Sequence, residues 1–177
     1  MISFRTYFNL HVRKVRIIVK SKSPLMKIIA GILWLSNKLG ITNIQDFMGN
    51  YATTIHDRIY WPSSDPYMDD SPRLFHELTH VLEWHYRGVK YDLEYIFSRS
   101  KRTYYETVCV QTNMLINPKL QSQAYVASCT NQFANYGIPK SMVRKELNNR
   151  LIEAVEKRPQ AESSLVAAAY RDWKMNS

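Results

Sequence analysis

Cysteine is scarce in this chain: Cys109 and Cys129 are the only two among 177 residues. They rule out a disulfide framework, allow one bridge at most, and read as two reduced thiols. Acid is missing altogether from the first forty residues, which carry Arg5, Arg13, Lys14, Arg16, Lys20, Lys22, Lys27 and Lys38. Beyond them basic and acidic residues nearly balance, so the net charge of +9 is concentrated at one end. Such a basic third either contacts an anionic partner, nucleic acid or a membrane surface, or is simply a solvated strand and helix face. Long apolar runs are missing too. Ile28–Leu35, between Lys27 and Lys38, is far short of the roughly 20 residues that cross a bilayer. No apolar core with a small-residue cleavage site marks a signal peptide, so a cytoplasmic or virion-associated protein is expected.

Repeats, low-complexity tracts and linkers are absent as well. With 45% hydrophobic and 12% aromatic residues, the composition is that of one ordinary globular domain. Its expected parts are a basic strand and helix over 1–50, a central segment over 51–116 and a helical remainder over 117–177. Basic and apolar residues alternate from His11 to Val19, as in a strand with one wet face. Ser23-Pro24 caps a helix that Gly40 stops. Within it Leu25, Ile28, Ile29, Ile32, Leu35 and Leu39 recur at helical spacing and predict a face docked on a core. Trp34, on the other side, leaves an interfacial role at a membrane open. Tyr51–Trp61 is β-branched and aromatic, a hairpin turning at His56-Asp57 or one long strand, and 62–70 is a loop. Ser71-Pro72 opens a helix that stops at Gly88. A short apolar turn over Leu93–Phe97 leads to a helix from Lys101 to Ile116, ended by Pro118. Three more helices follow, Gln121–Asn135, Ser141–Lys157 and Ala161–Trp173. The fold class is α+β, mostly helical, with a small sheet or hairpin before the helix that begins at Pro72.

That helix contains His76-Glu77-Leu78-Thr79-His80, an H-E-x-x-H pattern. Residues i and i+4 of a helix share a face one turn apart, so both imidazoles can reach a single ion, and zinc is the ion suited to them. Glu77 stands beside that face, where a carboxylate can take a proton from water. With five histidines and eight glutamates in the chain, chance supplies on the order of 0.006 such patterns. On a wheel of about 100° per residue, Leu74, Leu78, Val81 and Leu82 make one stripe and the two histidines face the other way. A helix beneath a cleft has this two-sided character.

A catalytic zinc takes a third protein ligand and keeps one position open. His85 lies with the leucine stripe, and Glu83, on the histidine face, is placed to orient a ligand rather than bind. Glu106, in the next long helix, is the better third ligand: Val110 and Asn113 share its face, and a buried carboxylate is costly without a cation. Cys109, one turn on, could also approach the ion but reads as a small packing residue.

Thr53-Thr54-Ile55, Ile59-Tyr60-Trp61-Pro62, His76-Glu77-Leu78-Thr79-His80-Val81 and Tyr105-Glu106 together resemble small zincin-like metallopeptidases of the gluzincin type, found in bacteria and bacteriophages. The likeness covers about residues 51–116. It departs at His56-Asp57, where glycine is usual, and at Cys109, where alanine is common. The resemblance implies one Zn2+ per chain on His76, His80 and Glu106, and hydrolysis of a protein or peptide substrate with Glu77 as general base. It also implies that an extended substrate pairs with Thr53, Thr54 and Ile55, or with Arg58 to Tyr60. Tyr104, Tyr105, Tyr125 and Tyr136 are candidates for a second oxyanion donor. The rival reading, motivated by the basic N-terminal third, is a viral or nucleic-acid-associated structural or assembly protein on the same fold, with little or no catalysis.

Overall fold

Local capping chemistry starts the main helices. The computed structural model describes residues 3–39, 47–62, 71–134 and 138–176. Ser23 Oγ accepts from the Met26 amide ahead of α2 (Pro24–Lys38), and Ser71 Oγ accepts from the Leu74 amide ahead of α4 (Pro72–Arg87). In both, proline fills the first turn, where its missing N–H costs nothing. Gly88, with φ of 58°, ends α4 in a conformation that side chains disfavour. Ser98 caps α6 (Arg99–Ile116) in the same way as Ser71. The expected loop over 62–70 lies, apart from Pro62, outside the described residues, as do Gly40 and Tyr136.

A three-stranded sheet stands before α4. β3 (Arg58–Trp61) is its centre, parallel to β1 (Arg16–Val19) with Ile17 opposite Ile59, and antiparallel to β2 (Thr53–Ile55) with Thr54 opposite Ile59. The hairpin between β2 and β3 turns at His56-Asp57, and His56 takes the left-handed φ of 57° in place of the usual glycine. Because β3 is flanked on both sides, Arg58–Tyr60 cannot pair with another chain, which corrects that half of the sequence expectation. β2 is an edge.

Three other expectations change. Residues 4–11 form a helix, α1 (Phe4–His11), so β1 is only four residues long. Asn9 Oδ1 accepts from the Val15 amide at 2.8 Å and ties α1 to the strand. The supposed turn at 93–97 is a helix, α5 (Val89–Phe97). The leucine–isoleucine stripe of α2 does not dock on the core: Ile28 and Ile32 are each 62% exposed and Leu39 65%.

Among the described residues, α4 and α6 run between two apolar clusters. Leu74, Leu78, Val81 and Leu82 of α4 pack with Phe4 and Phe8 of α1, Ile59 and Trp61 of β3, and Val166 and Ala169 of α9 (Ala161–Met175). On the far side Val110 and Met114 of α6 pack with Val126, Cys129 and Phe133 of α7 (Gln123–Ala134) and Val143 and Leu147 of α8 (Lys140–Val155). The short α3 (Phe47–Asn50) lies beside α2. The architecture is α+β and mostly helical, with the sheet confined to residues 16–61.

Candidate metal centre

Two helices deliver the polar groups. The leucine stripe of α4 faces the first cluster, so His76 and His80 face away from it, toward α6, while Glu77 reaches Thr54 of β2. The hydroxyls of Thr79 and Thr112, 2.7 Å apart and fully buried, fix how the two helices meet. Glu106 consequently arrives beside the histidines. Its Oε2 is 3.1 Å from His76 Nε2, its Oε1 is 3.7 Å from His80 Nε2, and the two Nε2 atoms are 3.1 Å apart.

These separations bear on whether the residues suit a cation. Ligands at about 2.0–2.1 Å from a tetrahedral zinc stand roughly 3.3–3.4 Å from one another. The two Nε2 atoms and the Glu106 carboxylate bracket that spacing. A second, looser set replaces Glu106 by Cys109: His76, His80 and Cys109 offer ligand atoms within 4.8 Å of one another and form a group that could hold a metal ion. The Cys109 sulfur, however, is 3.4 Å from Nδ1 of His80, the ring nitrogen turned away from His76. Glu106 is on the side where both Nε2 lone pairs converge.

Charge in the site is consistent with this choice. Burial alone would raise the Glu106 pKa, but His80 and His76, through charge and hydrogen bonds, hold it well below the usual carboxylate range. Burial would lower the His80 pKa, yet Glu106, with Glu77 and Glu83 behind it, moves it upward. His80 thus sits nearly dry among carboxylates, the setting that a cation compensates. Burial also pushes the Cys109 thiol well up, with Glu106 adding to it, so that the sulfur stays a neutral packing group beside an ionised carboxylate.

Sequence reasoning missed two tyrosines of α5. Tyr91 Oη is 2.8 Å from His80 Nδ1, and Tyr95 donates from its hydroxyl to Glu106 Oε1. Their spacing of four, which puts both on one helical face, was the available signal. The four tyrosines proposed from the sequence fare differently. Tyr104 donates to Gln160 and Tyr105 to Glu94, both away from the histidines. Tyr125 lines a smaller depression that His76 and Glu77 also border, with its hydroxyl 3.3 Å from Asn113 Nδ2. Glu83, offered as a group to orient a ligand, instead accepts from Arg87 Nε at 2.6 Å. His85 is exposed, because the last turn of α4 runs past the core it was expected to join.

The site opens into a cavity of about 460 Å³. Thr53, Thr54 and Ile55 of the edge strand form one wall, Tyr91, Tyr95 and Ile96 of α5 another, and His76, Glu77, His80 and Glu106 also line it. Thr54 Oγ1 donates to Glu77 Oε2 at 2.6 Å. At the lip His56 stacks on Trp84, ring centres 4.5 Å apart, and its Nε2 is 3.3 Å from Asp92. The structure therefore brings His76, Glu77, His80, Glu106 and residues 53–55 around one cavity. Compared with protein-family models, with curated proteins and with solved structures, the chain matches none.

Proposed function

We propose that this protein is a zinc-dependent metallopeptidase of the zincin class, with Zn2+ held by His76, His80 and Glu106. The observation that carries the reading is the convergence of two Nε2 atoms and a carboxylate within 3.1–3.7 Å, next to Glu77 and below an edge strand. When bound, the ion supplies Lewis acidity, polarising a carbonyl and lowering the pKa of water toward about 7.

The protein's own groups do the rest. Glu77, on the cavity wall, is the general base: it takes a proton from the attacking water and returns it to the leaving amine. The Thr54 hydroxyl bonded to Glu77 Oε2 restrains that carboxylate and leaves Oε1 for the proton. For Nε2 of His80 to offer its lone pair, Nδ1 carries the proton and donates to Tyr91 Oη, which holds the ring in place. Tyr95 orients Glu106 in the same manner. The edge of β2 that is unpaired among the described residues presents backbone groups to an extended peptide, giving Thr53, Thr54 and Ile55 a main-chain binding role.

Metal analysis of the purified chain, beside hydrolysis of a fluorogenic peptide mixture, tests the proposal. The wild type is expected to hold one zinc and to cleave; His80→Ala loses the metal, and Glu77→Gln keeps it while turnover falls about 10²–10⁴-fold. Zinc retained in His80→Ala overturns the ligand set. Full activity in Glu77→Gln overturns the mechanism. One zinc without turnover of any peptide or protein would instead favour the assembly role.

A further inference from the structure

The expected docked face of α2 lies open, and its chemistry is specific. At about 100° per residue, Leu25, Ile28, Ile32, Leu35 and Leu39 fall within an arc of roughly 80°. All five are exposed. Buried Met26 lies roughly 100–180° from that arc, so the helix rests on the protein by another side. On a third side stand Lys27, Trp34 and Lys38, with Lys38 Nζ 4.1 Å above the Trp34 ring. A helix that buried its stripe against protein would not keep such a run in water.

A second stripe has the same character. Val89, Leu93, Ile96 and Phe97 share one face of α5, opposite buried Tyr91, and Phe97 is 80% exposed. Ile96 belongs also to the cavity wall, so this stripe is continuous with the lip of the site. α2 adjoins the same cavity through α3, whose Phe47 lines it. Of the large hydrophobic residues exposed on the described surface, more than half are in these two helices.

We infer that the α2 and α5 stripes form a membrane-docking surface that lies in the headgroup region of an anionic lipid bilayer. Charge decides the occupant. There is no Asp or Glu in the first forty residues; Lys22, Lys27 and Lys38 are exposed on α2 or in the turn that leads into it, and Lys14 and Arg16 are exposed in the same basic segment. Lysines beside an apolar stripe keep their ammonium groups at lipid phosphates while their stems lie along the apolar surface, and tryptophan favours the same depth. Each basic residue near an anionic leaflet adds attraction that a second copy of this cationic chain would turn into repulsion. Nucleic acid would use the charge and leave the stripes in water. Among the described residues no helix is long and apolar enough to cross a membrane, so the surface lies on the bilayer rather than through it. This inference stands independently of the peptidase reading.

Flotation of the full chain with vesicles tests it, using phosphatidylcholine alone or mixed in equal parts with phosphatidylserine. The wild type is expected to float with the mixed vesicles and to leave them as salt rises. Ile28→Ser with Ile32→Ser, or Leu93→Ser with Phe97→Ser, lowers the bound fraction at least about tenfold, and Lys27→Glu with Lys38→Glu does the same. These positions are exposed, so circular dichroism should be unchanged. Absence of flotation with mixed vesicles, or flotation indifferent to either serine pair, overturns the inference. So does a wild-type dimer in solution that the Ile28/Ile32 serine pair makes monomeric without any vesicle binding; that result would assign the surface to a second copy.

Discussion

Thr54 and Glu77 are joined by a hydrogen bond of 2.6 Å, in which the hydroxyl on the edge strand donates to the carboxylate on the helix of the histidine pair. It couples the wall on which a peptide would lie to the group that would move its proton. Thr54→Val keeps shape and strand preference but removes the donor. On the proposed mechanism kcat falls about tenfold, at the lower end for groups that orient a reacting residue, while zinc content stays at one. An unchanged kcat in steady-state assays would refute the coupling.

Tyr91 and Tyr95 should affect metal affinity rather than fold. Tyr91→Phe removes the hydroxyl partner of His80 Nδ1 and leaves only the weaker Cys109 sulfur there, and Tyr95→Phe removes a donor to Glu106. Each is expected to weaken zinc binding about 10–100-fold. Competition with a chromophoric chelator measures this, and affinity equal to wild type in both variants would contradict the assigned roles.

On the proposed ligand set, removing the ion should lower stability. The pocket gathers negative charge from Glu106, Glu77 and Glu83 around His80, and a cation bound only by the folded chain stabilises by mass action. At a hundredfold excess over Kd that is about 2.7 kcal/mol, or roughly 5–10 °C in Tm for a chain of this length. Melting with and without a strong chelator is the check. His76→Ala should abolish the difference.

Both thiols should be silent in the native protein. Burial pushes the Cys129 thiol up to about 11 and raises that of Cys109 well above the usual thiol range. A raised pKa means less thiolate at a given pH, and at pH 8 a thiol near 11 is ionised on the order of one part in a thousand. A disulfide-exchange dye should therefore react with no thiol at pH 8 until denaturant is added, then with two. One fast native thiol would show that a cysteine is not buried as described.

The core makes its own prediction at the first helix. Phe4 is fully buried, with its ring edge-on to Phe75 at 5.7 Å and to Tyr170 at 5.4 Å. Phe4→Ala should cost about 3–5 kcal/mol, measured by denaturant unfolding. A cost below about 1 kcal/mol would mean that α1 does not pack as described.

Where an element was stated by local chemistry, the sequence was legible. The serine, proline and glycine that bound α4 act on neighbouring amides and on φ, so its limits could be read from 71–88 alone. Glu106 was legible because inward-facing residues flanked it. α1 was not: two phenylalanines four apart are a weak period, and what holds them is α9, more than 150 residues away. α5 was misread because apolar residues exposed on a helix look like a loop's short apolar patch. The α2 stripe was misassigned for the opposite reason, since periodicity reports that a face is apolar and is silent on whether protein or something else meets it.

The packing of α1 and α9 on α4 sets an order of events during synthesis. Val166 and Ala169 complete the apolar sheath of the helix that carries His76 and His80, yet they emerge from the ribosome some ninety residues after it. Until then one flank of α4 is bare, and the parallel β1–β3 pair, itself a long-range contact, has only part of its support. Folding here is closed by its most distant partners, which is slow. A chain interrupted before α9 would keep both histidines on an unsheathed helix, so it should be far more open to proteolysis than the full chain.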